Sequence, residues 1–169
     1  GVIDLIKRKS FFFEGEHGEK IIEKEIPENL KEEVEKRRHQ LAEKIVEHDE
    51  SLMRKYLEGE EISEDDLRRV LRKATVNGEL VPVFCGSALK NKGVQLLLDA
   101  VLDYLPSPLD LAPIKPVKGV SQKTGEEIIR QPKDEEPLSA LAFKIATDPF
   151  VGNLTYFRIY AGVMKRGSY

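Results

Sequence analysis

The sequence has 169 residues, a formal net charge of −3 and a pI of about 5.8, with 40% hydrophobic and 34% charged residues. This length suffices for one ordinary domain or two small ones, and the composition excludes a disordered chain. The charge gives no overall basic excess for wrapping nucleic acid. No apolar run approaches the ~20 residues of a membrane span, so we expect no membrane association. The single cysteine, Cys85, excludes an intramolecular disulfide and fits a reducing cytoplasm.

The first 26 residues predict a small antiparallel sheet. Apolar and β-branched residues are concentrated in residues 2–7, 10–14 and 20–26, and residues 14–19 supply a glycine-containing turn. The Phe11-Phe12-Phe13 run is expected to pack in a core or against a sheet face.

A long amphipathic helix is predicted from Glu28 to about His48, with Pro27 at its start. Its apolar stripe consists of Leu30, Val34, Leu41, Ile45 and Leu52. Glu32–Lys36 and Glu33–Arg37 are spaced for ion pairs along the helix. The charged residues of this helix and of the two positions after it either meet a charged partner or form a solvated face, and both interpretations stay open. They are Lys36, Arg37, Arg38 and His39, together with Glu43, Glu47, Asp49 and Glu50.

Two further helices are predicted before residue 78. The first covers residues 51–57 and is closed by Gly59. Ser63 is an N-cap that opens the second, which runs to about Val76 and stops at Asn77-Gly78. The acidic residues around Ser63 lack calcium-loop spacing, so helix capping explains them better than a metal site. Three scattered histidines likewise lack zinc-ligand spacing.

Residues 79–105 predict a strand, a turn of small residues and a helix. Residues 80–84 are expected to be a buried strand, with Cys85 as a small buried hydrophobe. The helix over residues 94–105 has one apolar stripe, which we expect to be buried: Val94, Leu97, Leu98, Val101 and Leu105. In α/β nucleotide-binding domains ligands bind beyond the carboxyl ends of the strands. That position falls on the turn, at Ser87, Ala88 and Leu89.

Four prolines in residues 106–116 predict an extended, stiff connector without helix and the clearest domain boundary in the sequence. Polar, turn-rich sequence follows, with a strand at residues 127–130. Residues 138–147 and 153–161 then alternate as two strands joined by a turn at residues 148–152. They predict the start of an all-β domain, a barrel of which only the first strands are present.

Two stretches only imitate nucleotide-binding motifs. GVMKRGS, residues 162–168, has the glycine spacing of a phosphate-binding loop, but Ser168 stands where its lysine is needed. NKGV, residues 91–94, has Val94 in place of the aspartate of a guanine-reading motif. No catalytic triad stands out either. The sequence therefore has no means of binding a nucleotide's phosphates or Mg²⁺.

Four stretches together resemble bacterial-type elongation factor G, a family of translational GTPases. GVIDLI and KYLEGEEIS resemble the family's insertion subdomain, and VPVFCGSALKNKGVQLLLDAVLDYLPSPLD resembles the last strand and helix of its G domain. LSALAFKIATDPFVGNLTYFRIYAGVMKRGSY resembles the opening of its β-barrel second domain. The resemblance covers essentially all residues in the same order. Because the sequence begins with Gly1 and ends directly after a strand-like run, we expect a piece of a longer protein.

The resemblance implies an α/β fold class followed by β-strands. An α+β insertion subdomain (1–78) and the strand-loop-helix end of a P-loop GTPase domain (79–105) precede a connector (106–137) and an incomplete barrel (138–169). It also implies that Ser87, Ala88 and Leu89 form the guanine-binding loop for GTP or GDP, and that no catalytic or metal-binding residue, including any for Mg²⁺, is present here. The parent protein is expected to be a cytoplasmic GTPase that drives translocation of tRNA and mRNA on the ribosome, whereas this chain alone should be inactive.

The expected partners are the ribosome, its stalk protein through the insertion subdomain, and ribosomal RNA through the second domain. The alternative is a stand-alone protein-interaction module without nucleotide binding, in which Ser87–Leu89 is only a turn. The predicted strands also lack neighbours in this sequence, so we expect self-association through their edges.

Overall fold

The computed structural model describes residues 1–111, 116–121 and 123–167, and the chain divides into two units, Gly1–Leu105 and Pro106–Tyr169. The first unit contains strands β1 (Val2–Asp4), β2 (Lys9–Glu14) and β3 (Lys20–Lys24) and helices α1 (Lys31–Val46), α2 (Glu50–Leu57), α3 (Glu64–Asn77) and α4 (Val94–Tyr104). The second contains the short helix α5 (Pro108–Leu111) and strands β4 (Val117–Val120), β5 (Glu127–Arg130), β6 (Ser139–Asp148) and β7 (Gly152–Ala161). Helices and small sheets thus come first and β-strands follow, as the sequence predicts.

The three N-terminal strands form the predicted antiparallel sheet, in the order β1-β2-β3. Phe12 pairs with Ile22 across β2 and β3. Strands β1 and β3 end before the predicted residues 7 and 26, whereas β2 begins one residue earlier than predicted. Phe11 and Phe13, on the same face of β2, are buried, which confirms the packing role of the phenylalanine run.

The helices of the first unit are positioned by local signals that the sequence shows clearly. A single 3₁₀ turn over Glu28–Leu30 follows Pro27 and leads into α1. The Ser63 side chain accepts a hydrogen bond from the Asp66 N–H at the start of α3, and Gly78, with φ of +78°, ends that helix. Helix α3 packs against α1 and α4, and α2 packs against α1. The core consists of Ala42, Ile45, Val46, Leu52, Ile62, Leu67, Val70, Leu71, Ala100 and Tyr104.

The segment that joins α3 to α4 differs from the prediction. Residues 80–84 form no strand within the described chain, and Val81, Val83 and Cys85 are exposed, so the predictions of a buried strand and a buried cysteine are wrong. A strand needs a hydrogen-bonded neighbour, and no described segment supplies one. Leu80 packs against the core, and the Phe84 ring stacks on the core residue Tyr104 with 6.2 Å between ring centroids.

Helix α4 also buries a different face from the one predicted. Ala100 and Tyr104 enter the core, whereas the apolar positions Leu97, Leu98 and Val101 are exposed. Arg72 of α3 fixes the end of α4, since its Nη1 donates to the Asp103 carbonyl at 2.7 Å. An apolar stripe predicts burial only where a second element covers it, and the described residues leave this stripe uncovered.

In the second unit, the proline-rich stretch was predicted to contain no helix, but it contains the short helix α5. Pro108 opens α5, a role that suits proline because a first-turn N–H has no partner in a helix. Residues 112–115, in the middle of the predicted connector, lie outside the described residues. Strand β5 occurs where predicted and pairs with β4, a strand that the sequence pattern does not predict.

Strands β6 and β7 form the predicted antiparallel hairpin, with Asp148 opposite Gly152 at the turn. A register shift lies between Ala142 and Lys144, and the apolar Leu141, Phe143 and Ile145 are exposed. None of the helices that the structure describes has the length and apolar character needed to cross a bilayer.

Candidate functional site

The loop that contains Ser87, Ala88 and Leu89 is a closed turn in front of α4. The Ser87 N–H donates to the Lys92 carbonyl at 2.7 Å, and the Lys92 N–H donates back to the Ser87 carbonyl at 3.0 Å. Inside this pair, the Asn91 N–H donates to the Ala88 carbonyl at 3.1 Å, and Asn91 has a positive φ of 47°. These three bonds fix the backbone of the loop independently of its side chains.

Two glycines allow the base of the loop to close. A Cβ on Gly86 would lie 2.8 Å from the Lys92 carbonyl oxygen, and one on Gly93 would lie 2.9 Å from the Cys85 carbonyl oxygen. Gly93 also has φ of +81°, in the left-handed region that favours glycine. Replacing either glycine with a larger residue would therefore force the two sides of the loop apart.

The β2–β3 turn holds the loop from the other side. The Asn91 Nδ2 donates to the His17 carbonyl at 2.8 Å, and the Gln95 Nε2 donates to the Gly18 carbonyl at 3.4 Å. A Cβ on Gly18 would lie 2.6 Å from the Asn91 carbonyl oxygen. Sequence reasoning missed these contacts, because nothing in a turn sequence indicates a partner more than seventy residues away.

The tip of the loop is open. Ala88 is exposed, and Leu89 is 96% exposed. No described residue accepts a hydrogen bond from the N–H groups of Ala88 or Leu89. The neighbouring bonds fix the backbone on either side of these two N–H groups, which are therefore free to donate.

The second candidate surface, the charged face of α1, is only partly as predicted. Lys36, Arg37, Glu43 and Glu47 are exposed, and Arg37 Nε forms the predicted ion pair with Glu33 Oε1 at 2.6 Å. Arg38, in contrast, is buried. It lies on the same side of α1 as Val34 and Ala42, four residues on either side, and so faces inward with them. The predicted Glu32–Lys36 pair is absent from the described part of the chain.

Among the described residues, no three His, Cys, Asp or Glu side chains are arranged to hold a metal ion. His39 contacts Tyr56, with Nε2 2.9 Å from the phenol oxygen, and His48 Nδ1 lies 3.1 Å from Glu79 Oε2. Both histidines thus link neighbouring elements of the first unit.

Comparison with known proteins gives one consistent result. No family model matches the chain. It is 55% identical over all 169 residues to elongation factor G of Thermotoga maritima, and 54% identical to elongation factor G of Thermotoga petrophila. A crystal structure of a Thermus thermophilus protein superposes with a TM-score of 0.71 and 33% identity, covering 99% of this chain and 22% of that one. The chain therefore belongs to the elongation factor G family, and it spans 24% of the length of the curated relatives that it matches.

Proposed function

We propose that this chain is a segment of a cytoplasmic, ribosome-dependent GTPase that drives translocation of tRNA and mRNA during elongation. The observation that carries the proposal is the 55% identity to elongation factor G over the full chain. On this proposal the segment comprises the insertion subdomain (1–78), the end of the G domain (79–105), a connector (106–137) and the start of the second domain (138–169). The last of these would contact ribosomal RNA.

In the proposed parent protein, Ser87, Ala88 and Leu89 would hold the guanine base of GTP or GDP. Guanine presents a carbonyl acceptor where adenine presents an amine donor, so a backbone N–H at this position selects guanine. The unpartnered N–H groups of Ala88 and Leu89 fit that role, and the small side chain of Ala88 leaves room for a base. Bound GTP with Mg²⁺ would supply the phosphoryl group for hydrolysis, and this chain contributes only recognition of the base.

A titration of this chain alone with a fluorescent GDP analogue tests whether the chain binds a nucleotide without the rest of the proposed parent protein. We expect no saturable binding, because the sequence has no phosphate-binding loop. Micromolar binding that GDP but not ADP competes away would contradict the proposal that the phosphate-binding part of the site lies outside this chain.

The base contact itself is tested in a chimera, in which this chain replaces the matching residues of the Thermotoga maritima protein. Ala88→Pro removes one N–H and keeps the carbonyl that closes the turn. Since an unmet buried hydrogen bond costs ~1–3 kcal/mol, the preference for GDP over 2,6-diaminopurine riboside diphosphate should fall by roughly tenfold or more. Ala88→Ser retains the N–H and should leave the preference unchanged. An unaltered preference in Ala88→Pro would exclude this contact.

For the ribosomal stalk protein, we propose the exposed face of α1 as the binding surface. Its exposed charges of both signs can meet complementary charges on a partner, which sets association rate and specificity more than affinity. Arg38 no longer belongs to this surface, because it is buried. Charge reversal at Lys36 and Arg37, or at Glu43 and Glu47, should weaken binding of the stalk protein in a surface-immobilised assay. Unchanged affinity in both variants would exclude α1 as the surface.

A further inference from the structure

Arg38 is a buried cation without an ion-pair partner among the described residues. It is 5% exposed, and its Nη1 atom is buried with no hydrogen-bond partner in that part of the chain. A guanidinium stays protonated in proteins, and a buried charge is costly unless an opposite charge compensates it. Burial lowers the pKa of Arg38, and the Arg8 guanidinium lowers it further, whereas Glu35, Asp4 and Glu64 each raise it by less. The folded chain therefore leaves this cation poorly compensated.

The neighbouring arginine is compensated. Arg8 Nη1 donates to Glu61 Oε1 at 2.7 Å, and Arg8 Nε lies 3.7 Å from Glu35 Oε1. Arg8 thus engages both of these acidic side chains. Within the described chain, no carboxylate lies within ion-pair distance of Arg38.

Both arginines line a cavity of about 150 Å³ between α1, α2 and the residues that follow α2. Ala42 and Ile62 supply an apolar part of its wall. His39 and Tyr56 supply another part, in which the phenol and the imidazole are hydrogen-bonded to each other. The cavity therefore combines one uncompensated cation with an apolar surface of a few carbon atoms.

We propose that this cavity binds a carboxylate carried on a short apolar body, with the Arg38 guanidinium as its ion-pair partner. A planar carboxylate can accept two parallel N–H bonds from one guanidinium. Glu35, Glu60 and Glu61 also line the cavity, and their charges repel a phosphate dianion more strongly than a singly charged carboxylate. The apolar wall formed by Ala42 and Ile62 favours an alkyl group next to the carboxylate.

The test is a two-dimensional ¹H–¹⁵N NMR titration of the full chain with sodium propionate at constant ionic strength. We expect saturable shifts confined to amides around Arg38, Tyr56 and Ile62, with contacts from the propionate methyl group to the side chains of Ala42 and Ile62. Inorganic phosphate should saturate only at higher concentration. Linear shifts spread over the surface would overturn the proposal, and tighter binding of phosphate would overturn the assignment to carboxylates.

Two variants that each remove one positive charge test whether propionate binds at Arg38. Arg38→Gln should abolish the saturable shifts. Arg37→Gln, one residue away on the exposed side of α1, should bind propionate like the unsubstituted chain. Equal loss in both variants would mean that net charge alone is responsible. If Arg38→Gln does not fold, the methyl contacts and a propionate-dependent rise in the Tm of the unsubstituted chain and of Arg37→Gln decide the question, because a ligand that binds only the folded state stabilises it.

Discussion

The Asp49 carboxylate couples the folding of this chain to pH. Hydrogen bonds from Ser51 Oγ at 2.6 Å and from the Leu52 N–H at 3.0 Å lower the pKa of Asp49 from 3.8 to about 2, and Arg69 acts in the same direction. Because the pKa is lower in the folded state, the stabilisation is complete above pH 3.8 and is lost as the pH falls through about 2.

Asp49→Asn should therefore flatten the pH dependence of stability. Asparagine keeps a side-chain oxygen that can cap α2, but it does not titrate. We expect the urea midpoint to fall less in the variant than in the unsubstituted chain between pH 3.8 and about 2. Asp148, whose pKa is lowered by the N–H groups of Phe150 and Val151 in its own turn, should titrate equally in both proteins. Parallel curves would show that Asp49 is not coupled to folding.

Ser63 is the corresponding cap of α3, the helix that packs against both α1 and α4. Ser63→Ala removes the acceptor of the Asp66 N–H, which lies 3.1 Å from Ser63 Oγ, and should lower the free energy of unfolding by ~1 kcal/mol. Ser63→Thr retains a hydroxyl and should recover most of that loss. Chemical denaturation measures both, and equal stability of all three proteins would contradict the capping role.

Among the elements, α2 contains two leucines that differ widely in burial. Leu52 is 1% exposed in the core, whereas Leu57, at the other end of the same helix, is 77% exposed. Leu52→Ala should destabilise the first unit by ~2–5 kcal/mol, because it removes buried methyl groups and leaves a cavity. Leu57→Ala should change stability by less than ~0.5 kcal/mol. Similar losses measured by denaturant unfolding would mean that α2 does not pack as described.

Elements whose signals are local could be predicted from the sequence. The caps at Ser63 and Gly78 and the alternation in β6 and β7 predicted the ends of these elements within a few residues, because those signals join near neighbours in the sequence. The position of the candidate loop at Ser87–Leu89 followed from the same kind of pattern. Its support by the carbonyls of His17 and Gly18 could not, since that contact forms only when distant segments fold together.

Which face of α4 is buried, and the burial of Arg38, could not be predicted from the sequence pattern. The stripe on α4 is apolar, yet the core takes Ala100 and Tyr104 from another face, because the position of α3 decides which side is covered. Arg38 stands in a run of charges that is typical of a solvated face, and helical geometry turns it inward next to Ala42. Periodicity identifies faces, but packing partners decide which face is buried.

At the scale of the whole molecule, the described residues leave an unusual amount of apolar surface uncovered. The larger exposed apolar side chains of α4 and of the segment before it are Val81, Val83, Phe84, Leu89, Leu97, Leu98, Val101, Leu102 and Leu105. Exposed apolar surface of this kind marks a site of association, either with further protein or with another copy of the chain.

The isolated chain should therefore self-associate, and α4 should contribute to it. Leu98 and Leu102 are four residues apart on α4, so they share one face, and Leu102 is 78% exposed. Replacing both with lysine should shift sedimentation velocity profiles towards the monomer at concentrations where the unsubstituted chain forms larger species. Leu57→Lys introduces a charge at an equally exposed leucine on α2 and should leave the distribution unchanged. A chain that sediments as a monomer at every concentration would show that these exposed faces do not attract one another, and burial of the α4 stripe would then require a different protein surface.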